Sequence, residues 1–297
     1  MRTLWDYIIM LISTIGGLAS IVAILTLFPN LRTEGWIAVL FLGLISIFFI
    51  CYNCWLVSIY RKKSKYADMY SEINIGFSHL HQLRRIDDSK PDEEKVKLIK
   101  DGLTNLCDRV SNAFVRIYGS NIGVCIKIIV NDNDRPRCET LIRDNLSLTK
   151  GRKTCEEETK HWIDGNSDFE FIYRNFENDN VDTSFYHQQH LPNCMDYKNT
   201  RLQSNWVPKT HWFYPMKFAR KRNWPLNYKS TLVVPIVPLI ANSQSQSAIR
   251  GFLCVDSPHE GIFNKKYDVD IMKGLADGIY NQIDIVYNII SKRNSNE

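Results

Sequence analysis

Positions 7–28 carry no charge and are almost wholly apolar, and a second uncharged apolar run covers 36–60. A helix rises about 1.5 Å per residue, so ~20 residues cross a hydrocarbon core of ~30 Å. Both runs are long enough. The first predicts a membrane span rather than a cleaved leader, because it leads into Phe28-Pro29-Asn30-Leu31-Arg32 without a small-residue cleavage site, and the second run follows at once. Joined only by 29–35, the two helices would be antiparallel neighbours in a hairpin. Ser13, Gly16, Gly17, Ala19 and Ser20 supply the small residues that let helix backbones approach in lipid. Trp5, Tyr7, Trp36 and Tyr60 fall at interfacial positions. Arg61, Lys62, Lys63 and Lys65 follow the second run, against Arg32 alone in the connection. The positive-inside bias then predicts a multi-pass inner-membrane protein with N- and C-termini cytoplasmic.

Beyond 60 the pattern becomes helical. Tyr66, Tyr70, Ile73, Phe77 and Leu80 recur at spacings of four and three, a short heptad stripe. It reads either as a helix packed on its own domain or as one pairing with its copy in a dimer. The stretch 87–92 breaks it as a linker. Positions 93–118 predict an amphipathic helix stopped by Gly119, and 121–130, 231–239 and 250–256 read as strands. The polar residues 242–247 look like a hairpin connection. Positions 267–290 form a closing helix with Ile271, Met272, Leu275, Ile279, Ile283, Val286 and Ile290 on one face. The predicted organisation is a hairpin over 1–60, a connector over 61–92 and one α+β domain over 93–297.

Composition adds little to this picture. The net charge of +5 favours an anionic neighbour without choosing one. The 8 cysteines are scattered, as thiols are in a reducing compartment, and Cys51-x-x-Cys54 lies at bilayer depth outside any redox-motif context. No phosphate loop, zinc-protease helix or nucleophile elbow is present, which argues against an enzyme. His187, His190 and Cys194 are three soft-metal ligands within eight residues, but a fourth ligand is missing, so a polar loop is the plainer reading and no metal or other cofactor is expected.

The C-terminal half resembles the GAF family of small-molecule sensors. The residues that carry the likeness are Tyr228-Lys229-Ser230-Thr231-Leu232-Val233-Val234-Pro235-Ile236, then Gly251-Phe252-Leu253-Cys254-Val255-Asp256-Ser257, then Phe263 and Leu275-Ala276-Asp277 in the closing helix. The resemblance implies an antiparallel sheet with flanking helices and a pocket between the sheet and the insert at 132–227, an insert whose length and composition depart from the family. Tyr173, Tyr186, Tyr197, Ser230 and Asp256 would line that pocket by the same analogy; each serves equally well as a packing or capping residue.

One more segment stands out. Between 205 and 229, Trp206, Trp212 and Trp224 interleave with Arg220, Lys221, Arg222 and Lys229. Aromatic faces stack on bases and cations neutralise phosphates, so a nucleotide or single-stranded nucleic acid fits, as do anionic lipids or a partner protein. A long loop stapled by its own aromatics fits too. The layout as a whole is similar to the two-transmembrane effectors of bacterial anti-phage systems, those accompanying retrons or cyclic-nucleotide synthases. That resemblance implies a homo-oligomer in the lipid bilayer, triggered by a nucleotide, single-stranded nucleic acid or a retron-type ribonucleoprotein, whose activated helices damage the inner membrane. No output domain follows the closing helix, so the hairpin is the expected output. The alternative is a tethered small-molecule-binding module that acts through a separate partner.

Overall fold

A computed structural model describes residues 33–83, 90–132, 135–149, 161–177, 185–194, 196–200, 224–238 and 249–294, together with 16, 17, 19, 20 and 23. The chain divides into two compact units, Met1–Ala67 and Asp68–Glu297.

Helix α1, Thr33–Leu83, contains the second apolar run. Its large side chains face outward: Phe41 is 64% exposed, Phe48 73% and Trp55 59%. Such a surface suits an apolar surrounding, whether a bilayer or another protein face. Asn53 and Ser46 donate to the carbonyls of Phe49 and Leu42 one turn back, each at 2.9 Å, which satisfies their polar groups within the helix. Among the described residues this is the one helix long and apolar enough to cross a membrane. Of the expected first span, only Gly16, Gly17, Ala19, Ser20 and Ala23 are described, all helical; the rest of the hairpin lies outside the described residues.

In the second unit, the end of α1 buries Met69, Ile73, Gly76 and Leu80. The stripe is therefore offset from the one the spacing predicts, and Tyr70 is 65% exposed. Helix α2, Asp92–Tyr118, opens on Asp92, Glu93 and Glu94, which suit its positive end, and closes on Gly119 at φ 66°, whose N–H bonds the Val115 carbonyl. Contact between α1 and α2 is close. A Cβ on Gly76 would stand 2.6 Å from Leu106 Cδ1, and Glu72 receives Arg109 at 3.2 Å and Arg116 at 2.8 Å. This is the packing reading of the heptad stripe.

Six strands follow: β1 Gly123–Asp132, β2 Arg135–Arg143, β3 His161–Trp162, β4 Tyr186–Gln188, β5 Ser230–Ile236 and β6 Gly251–Ser257. They form one antiparallel sheet in the order β3-β2-β1-β6-β5-β4. Between them lie α3, Asn145–Thr149, and α4, Ser167–Glu177; α5, Tyr267–Asn294, closes the unit. Both faces of the sheet are covered, which is why β5 and β6 are buried along their whole length rather than alternately. Helices α2 and α5 pack on one face. On the other, α4 covers an apolar cluster that includes Cys125, Ile129, Phe169, Ile172, Val233 and Phe252.

The predicted α+β class holds, and the blocks behind the family resemblance fall on β5, β6 and α5. The insert, which departs from the family in length and composition, still builds part of the sheet. It contributes β2, α3, β3, α4 and β4; β2 is hidden in the sequence because Pro136 and the charges of Arg135, Arg137 and Glu139 interrupt its apolar alternation. The connection expected at 242–247 lies outside the described residues.

Candidate ligand cavity

β1 reads GVCIKIIVND, with Lys127 the lone cation in the strand. Alternation puts Val124, Ile126 and Ile128 toward α2 and α5, and Cys125 and Lys127 on the opposite face. Arg143 reaches that face by an irregularity. Lys127 pairs with Thr140 but Ile126 pairs with Ile142, so Leu141 is an extra residue, and Arg143 comes to lie opposite Cys125. In a regular strand Ile142 would share the face of Thr140; the bulge substitutes Arg143.

These residues line a cavity of about 40 Å³ under α4. At ~10–15 Å³ per water it admits roughly three waters, or a solute of similar bulk. Its charges are Lys127, Arg143, Asp168 and Asp256, all buried. Lys127 is 6% exposed; its Nζ donates to Thr140 Oγ1 at 2.8 Å and lies 5.7 Å from the centre of the Phe169 ring. Among the described residues no carboxylate stands within ion-pair distance of it. A desolvated ammonium held only by a hydroxyl and a ring face is expensive for a fold to keep without a use.

Asp168, in the first turn of α4, accepts a hydrogen bond from the Phe169 N–H at 3.0 Å. Burial raises its carboxyl to about 6, against the lowering effects of that bond and of Lys127. Unfolded, the group releases its proton near its ordinary 3.8. The folded state therefore holds more protons between these values, and the stability contributed by the neutral carboxyl is complete below pH 3.8 and lost as pH rises through 6. Asp168→Asn keeps the acceptor and removes the titration. Thermal melts of the full chain in detergent at pH 4 to 7 should show wild type losing about 2 kcal/mol more than the variant across that range; parallel profiles would refute the assignment.

Two loops wall the cavity. His161 Nδ1 meets Thr200 Oγ1 at 2.6 Å, and Asn166 accepts the Thr200 N–H while donating to the Trp162 carbonyl. Asn199 donates to the hydroxyls of Tyr197 (3.2 Å) and Tyr228 (3.1 Å). Across the back of β1, Cys125 faces Cys254 of β6, and both thiols border the cavity.

Of the residues the family analogy singles out, Asp256 lines this cavity. Tyr173 and Tyr186 pack on the neighbouring apolar cluster. Tyr197 is buried between Tyr186 and Trp224, with ring centres 6.3 Å from each. Ser230 donates to the His259 carbonyl at 2.7 Å, which ties β5 to the loop after β6. Trp224 donates through Nε1 to the Tyr228 carbonyl at 2.6 Å, and Lys229 is engaged through its backbone with Ser257 and Leu191. Trp206, Trp212, Arg220, Lys221 and Arg222 lie outside the described residues. His187 and Gln189 both donate to the Phe263 carbonyl, and His190 meets Glu260 at 3.3 Å. Among the described residues no group of three metal-binding side chains forms. The residues that sequence reasoning missed are Lys127, Arg143, His161, Asp168 and Asn199. For Lys127 a signal existed: one charge in the middle of an apolar strand.

No family model matches the chain, and no curated protein does. Solved structures similar to it include the GAF domain of an Acinetobacter phosphoenolpyruvate-protein phosphotransferase, 10% identical with a TM-score of 0.37, covering 68% of this chain and 98% of that one. A type II free methionine-R-sulfoxide reductase from Thermoplasma acidophilum is 10% identical at TM-score 0.35, covering 63% and 94%. The chromophore-binding domain of an R. palustris bacteriophytochrome is 9% identical at TM-score 0.41, covering 75% and 63%. At these values ligand and activity have to be argued from this chain's own residues.

Proposed function

We propose that the chain is a membrane-anchored sensor whose second unit, of GAF type, binds a small polar molecule in the cavity of Lys127, Arg143, Asp168 and Asp256. The observation that carries this reading is Lys127, a buried ammonium at a cavity wall with no carboxylate within ion-pair distance among the described residues. An anionic group on the ligand would give Lys127 a direct ion pair, and Asp168 and Asp256 would receive its donors. The test is a thermal-shift panel of small anionic and zwitterionic metabolites, with nucleotides included, on the full chain in detergent. A compound binding at 100 times its Kd should add about 2.7 kcal/mol of stability to wild type. A compound that stabilised wild type and Lys127→Met equally would place binding elsewhere.

The membrane segment supports a second, finer reading of the output. The exposed apolar surface of α1 suits a bilayer, and the output we assign is a membrane-damaging response of the anti-phage type. Bacteria overexpressing the full chain should lose membrane potential, while those expressing a chain that starts at Ser64 should not. Intact potential with the full chain present and its ligand supplied would reduce the function to a tethered sensor that acts through a partner.

A further inference from the structure

We infer that Cys125 is a modification site: a nucleophilic thiolate that takes an oxygen atom from a hydroperoxide entering the cavity, with Cys254 the thiol that resolves the product into a disulfide. The geometry is a row of side chains across three strands. Cys125 sits on β1 between Arg143, its partner on β2, and Cys254, its partner on β6. Residues directly opposite in an antiparallel pair have Cα atoms about 4.5–5.5 Å apart, inside the ~4.4–6.8 Å range that a disulfide spans. Both thiols border the same cavity, and Lys127 lies two residues from Cys125 on the same face. That cavity suits a solute of two oxygen atoms, and Arg143 and Lys127 supply the donors to hold it.

The two thiols are not equivalent. The Cys254 thiol, hydrogen-bonded to Cys125, holds it below the ordinary thiol range in spite of burial, with Arg143 and Lys127 adding to the effect and Asp256 opposing it. Burial pushes Cys254 well up. Burial does the same to Cys107 and Cys138, which do not border the cavity. The thiolate is the nucleophile, so Cys125 attacks first.

The steps balance. The Cys125 thiolate attacks the terminal OH oxygen of the hydroperoxide; the O–O bond breaks, an S–O bond forms to give Cys125 sulfenic acid, and the departing alkoxide or hydroxide takes up the proton that Cys125 released on ionising. The Cys254 sulfur then attacks the sulfenic sulfur, an S–S bond replaces the S–O bond, and the oxygen departs as water with the Cys254 proton. Two thiols are oxidised and one hydroperoxide is reduced.

This inference rests on the thiols alone and stands apart from the identity of the ligand. The full chain, reduced and held in detergent, is treated with hydrogen peroxide, alkylated with iodoacetamide and digested with trypsin. Cleavage after Arg116, Lys127, Arg250 and Lys265 places the two cysteines on separate peptides. The expected product joins those peptides with the loss of two hydrogens, and forms at least about tenfold faster than any oxidation of Cys107. In Cys254→Ser the sulfenic acid on Cys125 persists and is trapped by dimedone; in Cys125→Ser, Cys254 oxidises no faster than Cys107. Unlinked peptides from peroxide-treated wild type, a measurement that needs no variant to fold, would overturn the inference, as would a dimedone adduct that forms on Cys254.

Discussion

Gly251→Val is expected to abolish folding of the sheet-bearing unit. Gly251 opens β6 and lies opposite Ile128 of β1 and Ile236 of β5, in the middle of the sheet. A Cβ there would stand 2.0 Å from the Lys127 carbonyl oxygen, 3.0 Å from its carbon and 3.1 Å from Ile128 Cα. All three are backbone atoms of the neighbouring strand, which cannot swing aside as a side chain can. Relief requires β1 and β6 to separate where they carry the cavity. Ordinary overpacking costs about 1–3 kcal/mol because side chains adjust; here none can, and the loss is on the order of the 5–15 kcal/mol that holds a domain together. Even alanine carries the clashing atom. Gly274 of α5 is the control, since a Cβ there meets nothing within 4 Å and the helix should gain up to about 1 kcal/mol on Gly274→Ala. Limited proteolysis and melting of both variants in detergent would check the pair. A Gly251→Val protein that resists protease as wild type does would mean that β1 and β6 are not paired in this register.

Lys127→Met is expected to stabilise the ligand-free protein and to end its response to ligand. A lysine kept for the fold would show the reverse sign. Its Nζ has a single hydroxyl partner and the aromatic face of Phe169, and its strand partner is Phe252, both members of the apolar cluster. Methionine has similar length, no charge to desolvate and a favourable sulfur–aromatic contact. The hydrogen bond lost from Thr140 is worth about 1 kcal/mol. Relief of the buried charge should exceed it, as when apolar residues replace buried ionic groups with a gain of ~1–4 kcal/mol. A melting temperature higher by several degrees, with no ligand-induced shift, is the expected pair of readings. A variant that melts lower and still responds to ligand would show that Lys127 is structural.

The sequence was informative wherever physics acts along the chain. An uncharged run long enough for a bilayer needs no tertiary partner to be recognised, and 36–60 lies within the helix found there. Helices α2 and α5 were legible because a wide apolar stripe repeats every three to four residues and Gly119 supplies a left-handed stop. β5 and β6 were legible as continuous apolar runs, the mark of strands covered on both faces. Asp256 was named from the family pattern alone and does border the cavity.

The site itself was decided by the tertiary structure. Arg143 reaches the cavity because one extra residue, Leu141, shifts the register of β2, and no local preference in the sequence marks that bulge. Cys125 and Cys254 lie well over a hundred positions apart in the chain and meet only through strand pairing. Asp168 becomes a proton-holding group only once α4 packs on the sheet and buries it, since its solvation and not its identity sets its titration. Sequence determined the long apolar segment, the long helices and the strands at the centre of the sheet, because those are periodic and local. The charges and thiols of the cavity depend on register and burial, which exist only after distant strands have paired.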